Sequence, residues 1–258
     1  MLAAAPSSRT AYSRRMPGDE DGDLHLRLTR VAASPGETPG SFRVVLETTR
    51  GDIQGILHPV EGGTGAVVCV GGAMGGLEGP AAGLYPRLAG ALNVLGITVM
   101  RVEYRHPNQF DECVLDALAG CSFLRGIGAA QVVLVGHSFG AAVVIKAGEL
   151  SPAVAAVASL SPQLYGTREV ERLGKPLLLV HGTADSILDH EASEDVFRRA
   201  LDPREIVLYA DTGHSLIQAR AEIDALLLEW IPARLAGQPA TTSRSEVVPA
   251  PGQQPPPA

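Results

Sequence analysis

The chain has 258 residues, 45% of them hydrophobic, and a formal net charge of −7. That is enough apolar material for one sizeable core, and an acidic balance without a basic stripe excludes the electrostatic footprint of nucleic-acid or anionic-membrane binding. Aromatic residues make up only 4% and cysteines number three, too few for base-stacking platforms or a disulfide scaffold.

Met1–Ser41 has the composition of loops, apart from a short alternating piece at Leu24–Val31, and reads as a flexible N-terminal leader over residues 1–41. Its first part, Met1–Pro17, is rich in Ala, Ser and Arg and has no acidic residue, a composition shared with organelle-import segments. Pro6 interrupts any amphipathic helix there, and Arg14-Arg15 leads into an acidic stretch rather than an apolar core. A plain leader is therefore favoured over import, and translation from Met16 is an alternative. No apolar run approaches the length of a membrane span. Together with Cys69, Cys113 and Cys121 read as small buried hydrophobes, this predicts a cytoplasmic protein without stable membrane insertion.

Phe42–Thr48 and Ile53–His58 alternate apolar and polar residues around the turn signal Thr49-Arg50-Gly51-Asp52, which predicts a hairpin. Ala66–Val70 is a continuous apolar run and predicts a strand buried on both faces. It ends in Gly71-Gly72-Ala73-Met74-Gly75-Gly76. Leu84, Leu88, Ala91, Leu92 and Leu95 recur at helical spacing between Pro86 and the stop signal Gly96. Ile97–Val102 is a strand. Phe110–Leu124 is a helix, with Asn108 as its expected cap and Val114, Ala117, Leu118 and Cys121 facing inward.

Val132–Val135 is the next apolar strand. It meets Gly136-His137-Ser138-Phe139-Gly140, and a helix of small apolar residues follows from Ala141 to Ala147. A serine on so sharp a strand-to-helix turn needs glycines two positions away on each side, because side chains there would collide with neighbouring backbone. Further strands are expected at Val154–Leu160, Leu177–Val180 and Ile206–Tyr209, and helices around Ala192–Ala200 and Leu216–Trp230. The Pro- and Gln-rich tail, residues 236–258, is expected to be disordered. Strands alternating with helices after a hairpin imply an α/β domain over residues 42–235. Its sheet is mostly parallel, of about eight strands, with helices on both faces.

In such a sheet chemistry gathers at the carboxyl ends of the strands. Ser138 needs a base there, and the base needs an orienting acid. Asp185 lies just past Leu177–Val180, in His181-Gly182-Thr183-Ala184-Asp185. Asp189 is a rival carboxylate and reads better as a helix cap. His214 lies just past the last strand, in Asp211-Thr212-Gly213-His214, and is the best-placed base. His137 sits inside the turn and points elsewhere. His181 ends a strand and is expected to pack or hydrogen-bond there, and His106 has a loop role. The amide of Phe139 is one expected oxyanion donor, and the glycine-rich loop supplies the other, at Ala73 or its neighbour Met74. Phosphate binding by that loop fails on spacing, since G-x-G-x-x-G would need glycine at position 73.

These motifs resemble those of the α/β-hydrolase superfamily from about Phe42 to Leu235. The introductory hairpin and compact size resemble the dienelactone-hydrolase or acyl-peptidase branch. The resemblance implies an α/β-hydrolase fold, esterase- or thioesterase-type chemistry and a Ser138–Asp185–His214 triad. Dienelactone hydrolases proper use a cysteine nucleophile, and here the position holds Ser138.

The expected activity is cleavage of a small-molecule carboxylic ester or thioester through an acyl-enzyme, with no metal or organic cofactor. The alternative is a ligand-binding or scaffold protein on the same fold. The connection Leu160–Pro176 is too short for a large cap domain. An open site is therefore expected, with Met74, Tyr104, Leu164, Tyr165 and Ile187 near the substrate.

Overall fold

The computed structural model describes residues 25–238 and 243–249. Strands β2 (Phe42–Thr48) and β3 (Ile53–His58) pair antiparallel, as their alternation predicts, and bury Val44, Leu46, Ile53 and Leu57. The strands β4 (Gly65–Val70), β5 (Thr98–Val102), β6 (Gln131–His137), β7 (Val154–Leu160), β8 (Leu177–Gly182) and β9 (Arg204–Tyr209) run parallel. Their unbroken apolar runs serve two cores at once. Along β6, Val132 and Leu134 face one core while Val133 and Val135 face the other.

Helices α1 (Pro80–Val94) and α5 (Arg220–Leu235) cover the second face, and α2 (Phe110–Gly126), α3 (Phe139–Leu150) and α4 (Glu191–Arg199) cover the first. Two local expectations change. Left-handed backbone at Ala81, Ala82 and Gly83 interrupts the first turn of α1. Asn108 does not cap α2; Gln109 precedes its first residue, and Asn108 takes a positive φ of 67°, which Asn tolerates better than most residues.

The strand order is β1-β2-β3-β5-β4-β6-β7-β8-β9-β10, ten strands among the described residues rather than eight. The two additions lie at the edges. β1 (Leu28–Pro35) pairs antiparallel with β2, and β10 (Ser243–Val248) pairs parallel with β9. The boundaries expected at residues 42 and 235 thus fall inside the sheet, and the leader and tail each contribute a strand. Both are mostly exposed; the alternating piece at Leu24–Val31 overlaps only the start of β1, and β10 has no alternating apolar run. The expectations for residues 1–24 and 250–258, the import segment and the start at Met16 among them, lie outside the described residues.

The order places β5 on one side of β4 and β6 on the other. The chain therefore leaves β4 toward α1 on one face of the sheet and leaves β6 toward α3 on the other, a reversal point of the kind at which chemistry gathers in such sheets. Val70 is in register with Gly136, so the glycine-rich loop and the Ser138 turn leave the sheet side by side. Between β7 and β8 there is only one 3-10 turn, Val170–Arg172, so no cap domain is inserted there. Among the described residues no helix is long and apolar enough to cross a membrane.

β1 covers the edge of β2, and Leu26 and Leu28 pack against the core. A chain beginning at Phe42 is expected to be less stable than one beginning at His25 by about 2 kcal/mol, a fall of roughly 4–8 °C in Tm. Thermal unfolding followed by circular dichroism checks this; equal Tm values would show that β1 contributes nothing.

Candidate active site

Ser138 joins β6 to α3 with φ 59° and ψ −119°, a conformation costing about 1–3 kcal/mol for a non-glycine residue. Its surroundings enforce it. The Ser138 amide donates to Leu160 O at 2.8 Å. A methyl group on Gly136 would lie 2.2 Å from Gly140 O, and one on Gly140 would lie 2.1 Å from Gly71 O. The turn is therefore closed on itself and pressed against the first residue after β4, with no room for a side chain at either glycine.

The glycine-rich loop is held by three side chains. Tyr85 donates its hydroxyl to Val70 O at 2.7 Å and Tyr104 donates to Gly71 O at 3.2 Å. Glu103 Oε1 accepts the Gly76 amide at 2.8 Å. A turn closed by Gly75 N–H to Gly72 O at 2.9 Å completes it. A methyl group on Gly72 would stand 3.7 Å from Ser138 Cβ, so the loop lies beside the base of the Ser138 side chain. The Ala73 amide has no acceptor among the described residues, and the amide of Phe139, first residue of α3, has none within its helix. Both are candidates for binding an oxyanion. Met74 is 91% exposed.

The loops after β8 and β9 are joined to each other. The Thr183 amide donates to Tyr209 O at 2.9 Å, the Ala184 amide to Thr212 O at 3.0 Å, and the Asp211 amide to Thr183 Oγ1 at 3.2 Å. This brings Asp185 and His214 together over the strand ends. His214 Nδ1 is 2.7 Å from Asp185 Oδ2, and His214 Nε2 is 3.0 Å from Ser138 Oγ. The Asp185 side chain is fully buried, and its Oδ1 accepts the amides of Ile187 and Leu188 at 2.8 and 2.9 Å. Burial pushes its carboxyl up, but the Leu188 amide, His214 and the Ile187 amide together outweigh that and hold it below the usual carboxylate range. Asp185 is thus an anion facing His214 Nδ1–H, which leaves Nε2 free to accept the serine proton.

The rival Asp189 accepts the Glu191 amide at 3.0 Å at the start of α4, the capping role expected for it. His137 does more than the sequence suggested. Its Nε2 donates to His214 O at 2.9 Å and its ring lies 4.9 Å from that of His214. Burial holds its imidazole down to about 4, so it supports the His214 loop as a neutral donor. No sequence pattern marks that contact, which spans two loops. The three cysteines are free and buried, and burial pushes each thiol up to about 12; none is a thiolate at neutral pH. Among the described residues no cluster of three metal-ligating side chains is arranged to hold an ion.

Tyr104 is a correction. It is buried, with its hydroxyl on Gly71 O and its ring edge-on to Phe139 at 6.2 Å, so it braces the site from beneath and does not face substrate. Leu164, Tyr165 and Ile187 are 49%, 67% and 70% exposed, on loops leaving the carboxyl ends of β7 and β8. The sequence did not single out Phe110. It bridges Phe139 and Tyr165, with ring centroids at 6.0 and 5.4 Å. Beyond Tyr165 lies a depression of ≈ 390 Å³ lined by Leu164, Tyr165, Arg168, Asp195 and Arg199.

The model of the dienelactone hydrolase family matches residues 97–229, just over half of the chain. No curated protein matches. Among solved structures, Est1E from Butyrivibrio proteoclasticus is 16% identical with a TM-score of 0.65, covering 75% of this chain and 99% of that one. A dienelactone hydrolase from Anabaena variabilis is 16% identical with a TM-score of 0.65, covering 74% and 95%. An α/β serine hydrolase without lid from Xanthomonas campestris is 25% identical with a TM-score of 0.60, covering 78% and 99%. All three share the α/β-hydrolase fold found here.

Two predictions follow from this geometry. Gly140→Ala drives a methyl group into Gly71 O, so it is expected to lower stability by about 1–3 kcal/mol and to displace the loop beside Ser138; urea unfolding checks it, against Gly90→Ala, where a methyl group meets nothing. Burial also holds His58 down to about 4, like His137, against ~6.5 in an unfolded chain. Between those values the unfolded chain binds more protons. Stability is therefore fully present above about pH 6.5 and is lost as pH falls toward 4. The urea midpoint should be lower at pH 4.5 than at pH 7.

Proposed function

The chain belongs to the dienelactone hydrolase family, a family of hydrolases, and we propose that this member is a serine esterase or thioesterase acting through an acyl-enzyme. The observation that carries the reading is the unbroken hydrogen-bonded chain from Ser138 Oγ through His214 to the buried Asp185. With a serine at the turn and every cysteine buried, the nucleophile differs from the cysteine of dienelactone hydrolases proper.

In this mechanism Ser138 Oγ attacks the carbonyl carbon while His214 Nε2 takes its proton. The oxyanion is held by the amides of Phe139 and Ala73; one such donor is worth about 3 kcal/mol in comparable sites. His214 then passes the proton to the leaving alkoxide or thiolate, and the acyl group stays on Ser138. Water, deprotonated by His214, releases the acid and restores the hydroxyl. Asp185 keeps the proton on Nδ1 and stabilises the imidazolium. Met74, Leu164, Tyr165 and Ile187 offer an open, partly apolar surface for the substrate, which suits short or medium acyl groups. Three free buried thiols support the cytoplasmic setting proposed for it.

Labelling with a fluorophosphonate probe tests the reading. Wild type is expected to label at Ser138 and Ser138→Ala to remain unlabelled, with a loss of about 10⁴–10⁶ in turnover of p-nitrophenyl esters. Acetyl and butyryl esters should be cleaved faster than long-chain ones. A folded wild type that neither labels nor cleaves any ester would instead make the chain a binding protein on a hydrolase fold.

A further inference from the structure

Asp185 carries one more partner than a triad needs. Its Oδ2 is 3.1 Å from Nε2 of His181 as well as 2.7 Å from Nδ1 of His214. His181 is completely buried at the end of β8. Its Nε2 also lies 3.0 Å from Leu188 O, and its Nδ1 lies 2.7 Å from Oγ of Ser193, itself fully buried in α4.

These contacts settle the tautomer. A backbone carbonyl only accepts, so Nε2 carries the proton and shares it between Leu188 O and Asp185 Oδ2. Nδ1 is then bare and accepts the Ser193 hydroxyl proton. Burial lowers the imidazole below its ordinary range, in keeping with a neutral ring. Asp185 thus receives four donors: the Ile187 and Leu188 amides on Oδ1, and the His214 and His181 rings on Oδ2. Packing alone does not require this. A buried polar ring costs free energy unless it is hydrogen-bonded, and an apolar side chain would fill the space without needing Ser193.

We infer that His181, oriented by Ser193, is a positioning residue that fixes Asp185 Oδ2 against His214 and tempers the pull of that carboxylate on the His214 proton. The inference rests on the serine-hydrolase reading above. An aspartate that gives part of its charge to a second donor holds an imidazolium less tightly. Removing the His181 donor would leave more of that charge facing His214 Nδ1. The groups facing this pair are Ser138 from the turn after β6, His137 at the end of β6 and His181 at the end of β8, the last held in turn by Ser193 of α4. His137 is bonded to the His214 carbonyl and not to Asp185, so it does not replace His181.

The test compares Ser193→Ala, His181→Ala and His181→Gln in the full chain, with kcat/KM of a p-nitrophenyl ester measured against pH. His214 must be neutral to act, so the acid limb rises through its titration. In His181→Ala the limb is expected to move up by about one pH unit, with kcat falling roughly 10- to 100-fold at unchanged KM. Ser193→Ala, a small deletion, should move the limb in the same direction by less. His181→Gln, whose side-chain amide reaches the same carboxylate, should return it toward wild type. Titration of the His214 ring nitrogens by NMR gives the same comparison without a substrate. Labelling of Ser138 keeps the two ideas apart, since a wild type that does not label overturns the serine-hydrolase reading. Acid limbs and NMR midpoints of folded Ser193→Ala and His181→Ala that coincide with wild type overturn the role given to His181. If His181→Ala does not fold, Ser193→Ala decides the matter alone.

Discussion

Everything at the carboxyl edge of this sheet depends on how closely the turn after β6 approaches the loop after β4. Gly140 lies so near Gly71 O that one methyl group would stand 2.1 Å from it. That contact presses the loop after β4 against the turn that holds Ser138 in its strained conformation. Interiors this closely packed do not deform smoothly. The geometry therefore holds as a unit or is lost as a unit, and the strain is borne by the two cores on either face of the sheet. Tyr85 and Tyr104 extend the same constraint from below, each spending its buried hydroxyl on a carbonyl at the end of β4 or just beyond.

A second constraint acts across the sheet. Asp185 and His214 come from loops that could move independently. Backbone bonds between those loops, and His137 on the His214 carbonyl, remove that freedom. Electrostatics then follows from burial. The carboxylate stays charged because donors outnumber the cost of desolvation, while His137 and His181 stay neutral because burial prevails over their partners. The site thus holds one anion among three imidazoles, with His214 placed between Ser138 Oγ and Asp185 Oδ2.

The elements buried on both sides were legible in the chain. Ala66–Val70, Val132–Val135 and Leu177–Val180 are continuous apolar runs because both faces are covered, and the strand ends they mark fix where the loops carrying Ala73, Ser138 and Asp185 begin. β10 left no apolar alternation in the chain and β1 only the piece at Leu24–Val31 that overlaps its start, because an exposed edge strand is held mainly by backbone hydrogen bonds. Tyr104 was misread for a related reason. Its place at a strand end suggested access to substrate, whereas its ring is turned down into the core against Phe139.

By itself the sequence determined the α/β class, the sharp serine turn and the order Ser138, Asp185, His214 along three strand ends. Each of these depends on local steric demand or on burial, which residue type records directly. Tertiary structure alone decided the strand order, the close fit of Gly140 against Gly71 O, and the partners of His137, His181 and Ser193. A hydrogen-bonding side chain does not carry the name of its partner until the backbone has brought the two within about 3 Å, even where the partners are near in sequence, as Asp185 and Ser193 are to His181.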